Sequence, residues 1–204
     1  MEQCAFCQYD KHKERIVFSS QNFYVMPTIG QISDGGHLLV IPRQHYSCLG
    51  AMEDERFVEF EELAGKVKKT VTKIYGKPIS FEHGILGQSV PHAHLQMMPS
   101  ATDLFTRINR DFRVFKELST LRDLQDLHRT RGVYLFYQDL NDKMFGFLLD
   151  SYPQYLRIVA AEAIGKPKRG NWREWRADPE CAKLDDLLIE DTVMRLLQEF
   201  STQS

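Results

Sequence analysis

Residues 91–99 read PHAHLQMMP, and their alternation decides how the first half of the chain is read. Two histidines and a glutamine fall on every second position, His92, His94 and Gln96, with Ala93, Leu95 and Met97 between and after them. Successive side chains of a β-strand point to opposite faces. A strand over 92–98 therefore puts the three polar groups on one face and the apolar set against a core. A polar row on a strand with a buried back is a place where a chemical site can be built.

Working outward, short runs rich in β-branched and aromatic residues predict strands at 23–26, 37–41 and 79–83. Asp34, Gly35 and Gly36 form the turn before the second of these. Between the second and third, Phe57, Phe60, Leu63, Val67, Val71 and Ile74 recur at spacings of three and four, an amphipathic helix ended by Gly76. Strands with one long helix laid across them make an α+β pattern. After Pro99 the character changes. The spacing predicts a helix over 112–127, strands in VYLFYQ and KMFGFLL around a DLNDK turn, and helices over 152–165 and 183–200. A polar, turn-rich stretch separates the last two. The expected division is 1–110 and 111–204, the second part either packing on the first sheet or extending it.

The chain has 204 residues, enough for one domain with a substantial elaboration. A net charge of −2 gives no global steering toward nucleic acid or membrane, so any such affinity must be a local patch. The first residues are polar and soon charged, and no apolar run approaches the roughly 20 residues of a membrane helix. We expect a cytoplasmic protein with no membrane partner, the nucleus remaining open. In a reducing compartment, Cys4-x-x-Cys7 reads as a metal half-site or a redox pair before it reads as a disulfide.

The loop GILGQS runs straight into the histidine stretch, and its backbone N–H groups and the Ser89 hydroxyl suit a phosphate. A neutral imidazole beside such donors can attack phosphorus and form a covalent intermediate. GQSVPHAHLQ, preceded by GGHLLVIPRQH, resembles the histidine-triad (HIT) superfamily of nucleotide hydrolases and transferases, in the His-x-His-x-Gln form of its transferase branch. The resemblance covers roughly residues 4–98. Within that branch stand galactose-1-phosphate uridylyltransferase, the diadenosine tetraphosphate phosphorylases and CwfJ-like domains. HAHLQ and FEHG lean toward the last two, because Ala93 and Leu95 stand where the uridylyltransferase pattern has Pro and Gly.

The resemblance implies a HIT-like fold, an antiparallel sheet with a long helix packed on it, followed here by a C-terminal α/β elaboration. It implies His94 as the nucleophile at the α-phosphate of a nucleoside polyphosphate, dinucleoside polyphosphate or nucleotide sugar. It assigns Gln96 to the phosphoryl oxygens and Gln88 and Ser89 to the same phosphate, with His83 either a leaving-group contact or a core residue. It implies a structural zinc on Cys4, Cys7, His45 and His92, and a homodimer through the long helix unless the C-terminal half covers that surface.

Other residues carry weaker expectations. Tyr24, Met26, Ile32 and Leu39 line a purine pocket or simply fill the core. His37 reads as structural, and His12 and His128 as surface residues. Lys168, Arg169, Trp172, Arg173 and Arg176 interleave basic and aromatic groups, which suits polyanion contact. The CwfJ-like flavour, associated with RNA processing, makes an RNA-binding module the rival to an enzyme. The intact His94–Gln96 pair favours the enzyme, since binding alone needs no nucleophile.

Overall fold

The computed structural model describes residues 4–148 and 153–201. Eight strands form one sheet in the order β1-β2-β3-β5-β4-β7-β8-β6, every neighbouring pair antiparallel. They are β1 (Phe18–Ser19), β2 (Phe23–Pro27), β3 (Leu38–Pro42), β4 (Pro78–Glu82), β5 (Leu95–Pro99), β6 (Val114–Leu118), β7 (Leu135–Gln138) and β8 (Met144–Phe147). The second half of the chain extends the sheet, because β7 pairs with β4 in the register Phe81–Tyr137.

Alternation sorts the side chains between two layers. Val25, Val40, Leu95 and Met97 point to the back, where α1 (Asp54–Tyr75) lays Phe57, Phe60, Val67 and Val71 on them. Ile79, Phe81, Met98 and Tyr137 point to the front, under Leu156, Val159 and Ala160 of α4 (Tyr155–Ala163). The last helix, α6 (Pro179–Ser201), inserts Leu196 and Phe200 into the back layer. No helix among the described residues is long and apolar enough to cross a membrane.

Three expectations are corrected. The ladder of β5 begins at Leu95, and residues 92–94 form an extended arm held by the Ala93 N–H donating to the Tyr46 carbonyl at 2.8 Å. The alternation nevertheless continues through that arm, because Ala93 joins Leu95 and Met97 in the back core. The helix expected over 112–127 is instead β6 followed by the start of α3 (Asp123–Arg131), with the short α2 (Phe105–Asp111) just before it. Phe112, Phe115, Leu118 and Leu121 recur every third residue and mimic a helical face. Pairing with β8 at the sheet edge overrides that local pattern and leaves Phe115 outside, 42% exposed. The turn-rich stretch after α4 contains a short helix, α5 (Trp172–Ala177). The expected strand end at Leu149 and helix start at Tyr152 lie outside the described residues.

Glu82 ends β4 in the back layer, fully buried, accepting hydrogen bonds from the Leu49 N–H (2.8 Å) and the Tyr134 hydroxyl (2.6 Å). Burial outweighs these two donors and pushes its carboxyl up to about 8. The folded protein therefore keeps a proton that an unfolded glutamate releases near 4.5, so folding becomes less favourable as pH rises from 4.5 to 8. The buried histidines 37, 83 and 94 act oppositely below about 6.5, since burial holds each of them neutral. Stability measured by urea unfolding should peak near pH 6.5 and then fall by about 1.4 kcal/mol per pH unit toward pH 8. Glu82→Gln should flatten that decline; an unchanged slope in the variant would rule Glu82 out as its source.

Candidate active site

The front of β2, β3 and β5 is left open by α4, and the cleft there is where His94 and Gln96 emerge. A cavity of about 130 Å³ is lined by Met26, Leu39, Ser89, His94, Gln96 and Arg157, among others. That suits a phosphoryl group and part of a sugar, since complete small-molecule sites usually run from about 300 Å³ upward.

His94 is 6% exposed and its Nδ1–H donates to the His92 carbonyl at 2.7 Å. A carbonyl can only accept, so the proton is fixed on Nδ1 and Nε2 carries the free lone pair. Burial lowers its pKa to about 4, with the nearby Arg157 charge adding to the effect, so the ring is neutral near pH 7. Phe6 stands edge-on to this ring, with centroids 5.2 Å apart.

Gln96 sits two residues further along, and its carbonyl oxygen faces His37 Nε2 (3.2 Å) and Arg157 Nη1 (3.4 Å). His83 lies behind Gln96, 2% exposed and outside the cavity lining, which is the placement of a core residue, the second of its two expected roles. Its Nε2 accepts from the Leu156 N–H at 3.1 Å, at the start of α4. Burial pushes its pKa down to about 3.

The loop ahead of the histidines is gripped by the C-terminal half. The Gln154 N–H donates to the Gly87 carbonyl (2.9 Å), Trp172 Nε1 to Ser89 Oγ (3.3 Å), and Arg173 Nη2 to the Ser89 carbonyl (3.3 Å). Gln88 turns away, its amide donating to the Ser47 carbonyl. Gly30 must be glycine here: its φ is +74°, and a Cβ would lie 2.5 Å from Cβ of Trp172. Of the expected purine pocket, Met26 and Leu39 line the cavity; Tyr24 backs it by donating to the Phe6 carbonyl, and Ile32 joins the other front cluster.

Cys4, Cys7, His45 and His92 come together with their ligand atoms all within 4.8 Å of one another. Three sulfur–nitrogen separations measure 3.4, 3.4 and 3.5 Å. Zinc with tetrahedral bonds of 2.3 Å to sulfur and 2.0–2.1 Å to nitrogen implies edges of about 3.5 Å, so the group fits such an ion. His92 Nε2 donates to the Pro42 carbonyl at 2.8 Å, which leaves Nδ1 as the lone pair facing the thiols. Purified protein should contain one zinc per chain. Its loss in Cys4→Ser or Cys7→Ser should lower the melting temperature by about 5–10 °C, because the clasp ties residues 4–15 to the histidine arm. Metal-free protein with wild-type melting would exclude the clasp.

The basic stretch does not form one patch. Arg169 is buried, donating to the Ile32 and Ser33 carbonyls and pairing with Asp34 at 2.9 Å. Arg176 is neutralised by Asp185 (2.6 Å) and Asp186 (2.7 Å). Lys168 and Arg173 remain outward, Arg173 stacking on the half-buried Trp172 ring at 4.5 Å.

Two site residues escaped the sequence reading. Arg157 sits in a helix that reads as core, with no motif around it. His12, expected at the surface, lines the cavity beside Arg15, whose Nη2 donates to His12 Nδ1 at 3.0 Å. His128, likewise expected outside, is half-buried and bonded to the Gly132 carbonyl at 2.9 Å.

The antiparallel sheet with the long helix packed behind it is the HIT-like fold that the sequence resemblance implies, and it carries the His-x-His-x-Gln arm. The family of proteins similar to the CwfJ C-terminus matches residues 1–113, more than half of the chain, and the protein belongs to that family. Solved structures with similar folds include a HIT family protein from Bacillus subtilis, at 21% identity over 64% of this chain and 96% of that one, with a TM-score of 0.43. A hypothetical histidine triad nucleotide-binding protein from Sulfolobus tokodaii covers 83% and 97% at 15% identity and a TM-score of 0.42. A hypothetical protein from Leishmania major is 26% identical over 49% and 74%, with a TM-score of 0.42. No curated protein matches the chain.

Proposed function

We propose that the protein is a nucleotidyl transferase or hydrolase acting at the α-phosphate of a nucleoside polyphosphate, dinucleoside polyphosphate or nucleotide sugar, through a nucleotidyl-His94 intermediate. The observation that carries this reading is the fixed tautomer of a buried, neutral His94, which lines the cavity and keeps the lone pair of Nε2 free. Nε2 attacks phosphorus, the bond to the leaving oxygen breaks, and that oxygen departs with the electron pair. The ring then carries a positive charge, stabilised by Nδ1–H on the His92 carbonyl. An acceptor oxygen next attacks phosphorus from the opposite side, and the P–N electrons return to Nε2. Most of the rate would come from positioning and charge stabilisation.

Gln96 cannot donate a proton to a leaving group, so the reaction suits leaving groups and acceptors that are stable as anions. That favours transfer to phosphate or a phosphate ester over hydrolysis, in line with the Gln form of the motif. Zinc on Cys4, Cys7, His45 and His92 would serve structure only, since four protein ligands close the tetrahedron. Intact-protein mass after incubation with ATP, UTP, a nucleotide sugar and diadenosine tetraphosphate tests the reading. A gain of one nucleoside monophosphate, absent in His94→Ala, is expected. No adduct and no consumption of any of the four would favour the alternative, an RNA-binding module of CwfJ-like type using Trp172 and Arg173 at the cleft mouth.

A further inference from the structure

Arg157 comes from α4, beyond the residues that the family match covers, and it is 3% exposed. Its Nη2 donates to the Gly30 carbonyl (2.5 Å) and its Nη1 faces Gln96 Oε1, while Nε is buried with no partner. Among the described residues no carboxylate lies within ion-pair distance of it; the nearby buried Asp185 is taken by Arg176 and the Gly30 and Gln31 N–H groups. A buried cation with no carboxylate in ion-pair contact is costly, and an anion seated beside it would offset that cost.

The surrounding hydrogen bonds point the same way. Arginine has only donors, so it requires the oxygen of the Gln96 amide and turns the NH2 toward His83. The Leu156 N–H occupies His83 Nε2, which puts the His83 proton on Nδ1, facing Gln96 Nε2 at 3.5 Å. Two donors then meet with no acceptor. Turning the amide over satisfies His83 and sets the NH2 against the guanidinium. In either orientation the cluster holds a donor too many, and an oxygen from outside is what would complete it.

We infer that Arg157 is the resident counter-charge for a phosphoryl group held in the His94 cavity, and that it gives the cleft its selectivity for phosphorylated over unphosphorylated ligands. The inference deepens the function proposed above and rests on it for the identity of the ligand. With a neutral Gln96 in the third motif position, Arg157, in the C-terminal half, is the cation that meets the motif itself, whereas Arg15, which also lines the cavity, is turned to His12 and the Pro27 carbonyl.

The test uses the full chain and reads binding without turnover. Thermal unfolding is followed with inorganic phosphate and with AMP or UMP, the nucleosides serving as controls. Wild type and His94→Ala should both be stabilised by phosphate. Arg157→Gln should melt no earlier than wild type without ligand, because an unpaired buried charge is gone, and should lose the phosphate-induced shift. Arg157→Lys, which keeps charge but not the two-pronged geometry, should weaken monophosphate binding by about tenfold and leave nucleoside binding unchanged. An Arg157→Gln protein that melts early yet keeps its phosphate shift would make Arg157 a structural brace and overturn the inference. So would equal losses for monophosphate and nucleoside in Arg157→Lys, the arm that decides if Arg157→Gln does not fold. No phosphate or monophosphate effect on wild type would also overturn it. An Arg157-dependent phosphate shift with no His94 adduct would leave the anion site standing and remove covalent catalysis alone.

Discussion

His94→Gly is expected to lose turnover by about 10⁴-fold or more, the scale on which removal of an attacking side chain is felt, and to regain part of it when imidazole is added. The variant leaves a hole the shape of the missing ring, bounded by Phe6 and the His92 carbonyl. Free imidazole entering it finds the same acceptor for one nitrogen and presents the other to phosphorus. The nucleotide then leaves on imidazole, so turnover returns without any gain in protein mass. That pairing of results separates a nucleophile from a binding residue. A histidine that only bound substrate would, when removed, weaken apparent affinity and give no nucleotidyl-imidazole. Rescue with no such product, or turnover close to wild type in the variant, would end the case for attack by His94. His94→Gly should remain folded, since its ring faces the cleft while Ala93 and Leu95 hold the strand from behind.

Asp185→Ala is expected to cost about 3–5 kcal/mol of stability, because it strips a fully buried carboxylate from three donors at once. Asp185 accepts from the N–H groups of Gly30 (2.9 Å) and Gln31 (2.7 Å) and from Arg176 Nη1 (2.6 Å). Alanine leaves two backbone N–H groups with no partner and a half-exposed arginine free to turn outward. Asparagine restores the volume and one acceptor but sets its NH2 against one of the donors, so about half of the loss should remain. Urea unfolding of the two variants measures this directly; a cost below about 1 kcal/mol for alanine would mean that water replaces the carboxylate. The consequence reaches the cleft. The Gly30 carbonyl anchors Arg157, and Gln31 clamps Thr28 and His37 through its own side chain. Phosphate binding should therefore fall in Asp185→Asn more than its stability loss alone explains.

How much of this was legible in the chain depends on the range of the interactions. The alternation of 92–98 and the three–four spacing of the long helix are local patterns, and the structure carries both, with α1 at Asp54–Tyr75 and His94 and Gln96 on one face. The Cys4, Cys7, His45, His92 group came from a motif resemblance, and the structure brings its atoms together. Strand β6 is not legible locally because the apolar residues around it repeat every third position, and only the partner β8, some thirty residues away, selects the extended form. Arg169 and Arg176 read as part of a polyanion-binding stretch because nothing nearby in the chain announces Asp34 or Asp185 as their partners.

The amino-acid sequence by itself determined the alternating extended segment that presents His94 and Gln96 on one face, and the four metal-ligand types. These depend on covalent neighbours and on the period of a strand or helix. Tertiary structure alone decided that α4 would bring a buried arginine to that strand, that α5 would grip the Ser89 loop, and that α6 would brace the Gly30 turn. Those contacts join residues 61, 83 and 155 positions apart. No local periodicity encodes them; they follow from which apolar faces the two halves bury against one shared sheet.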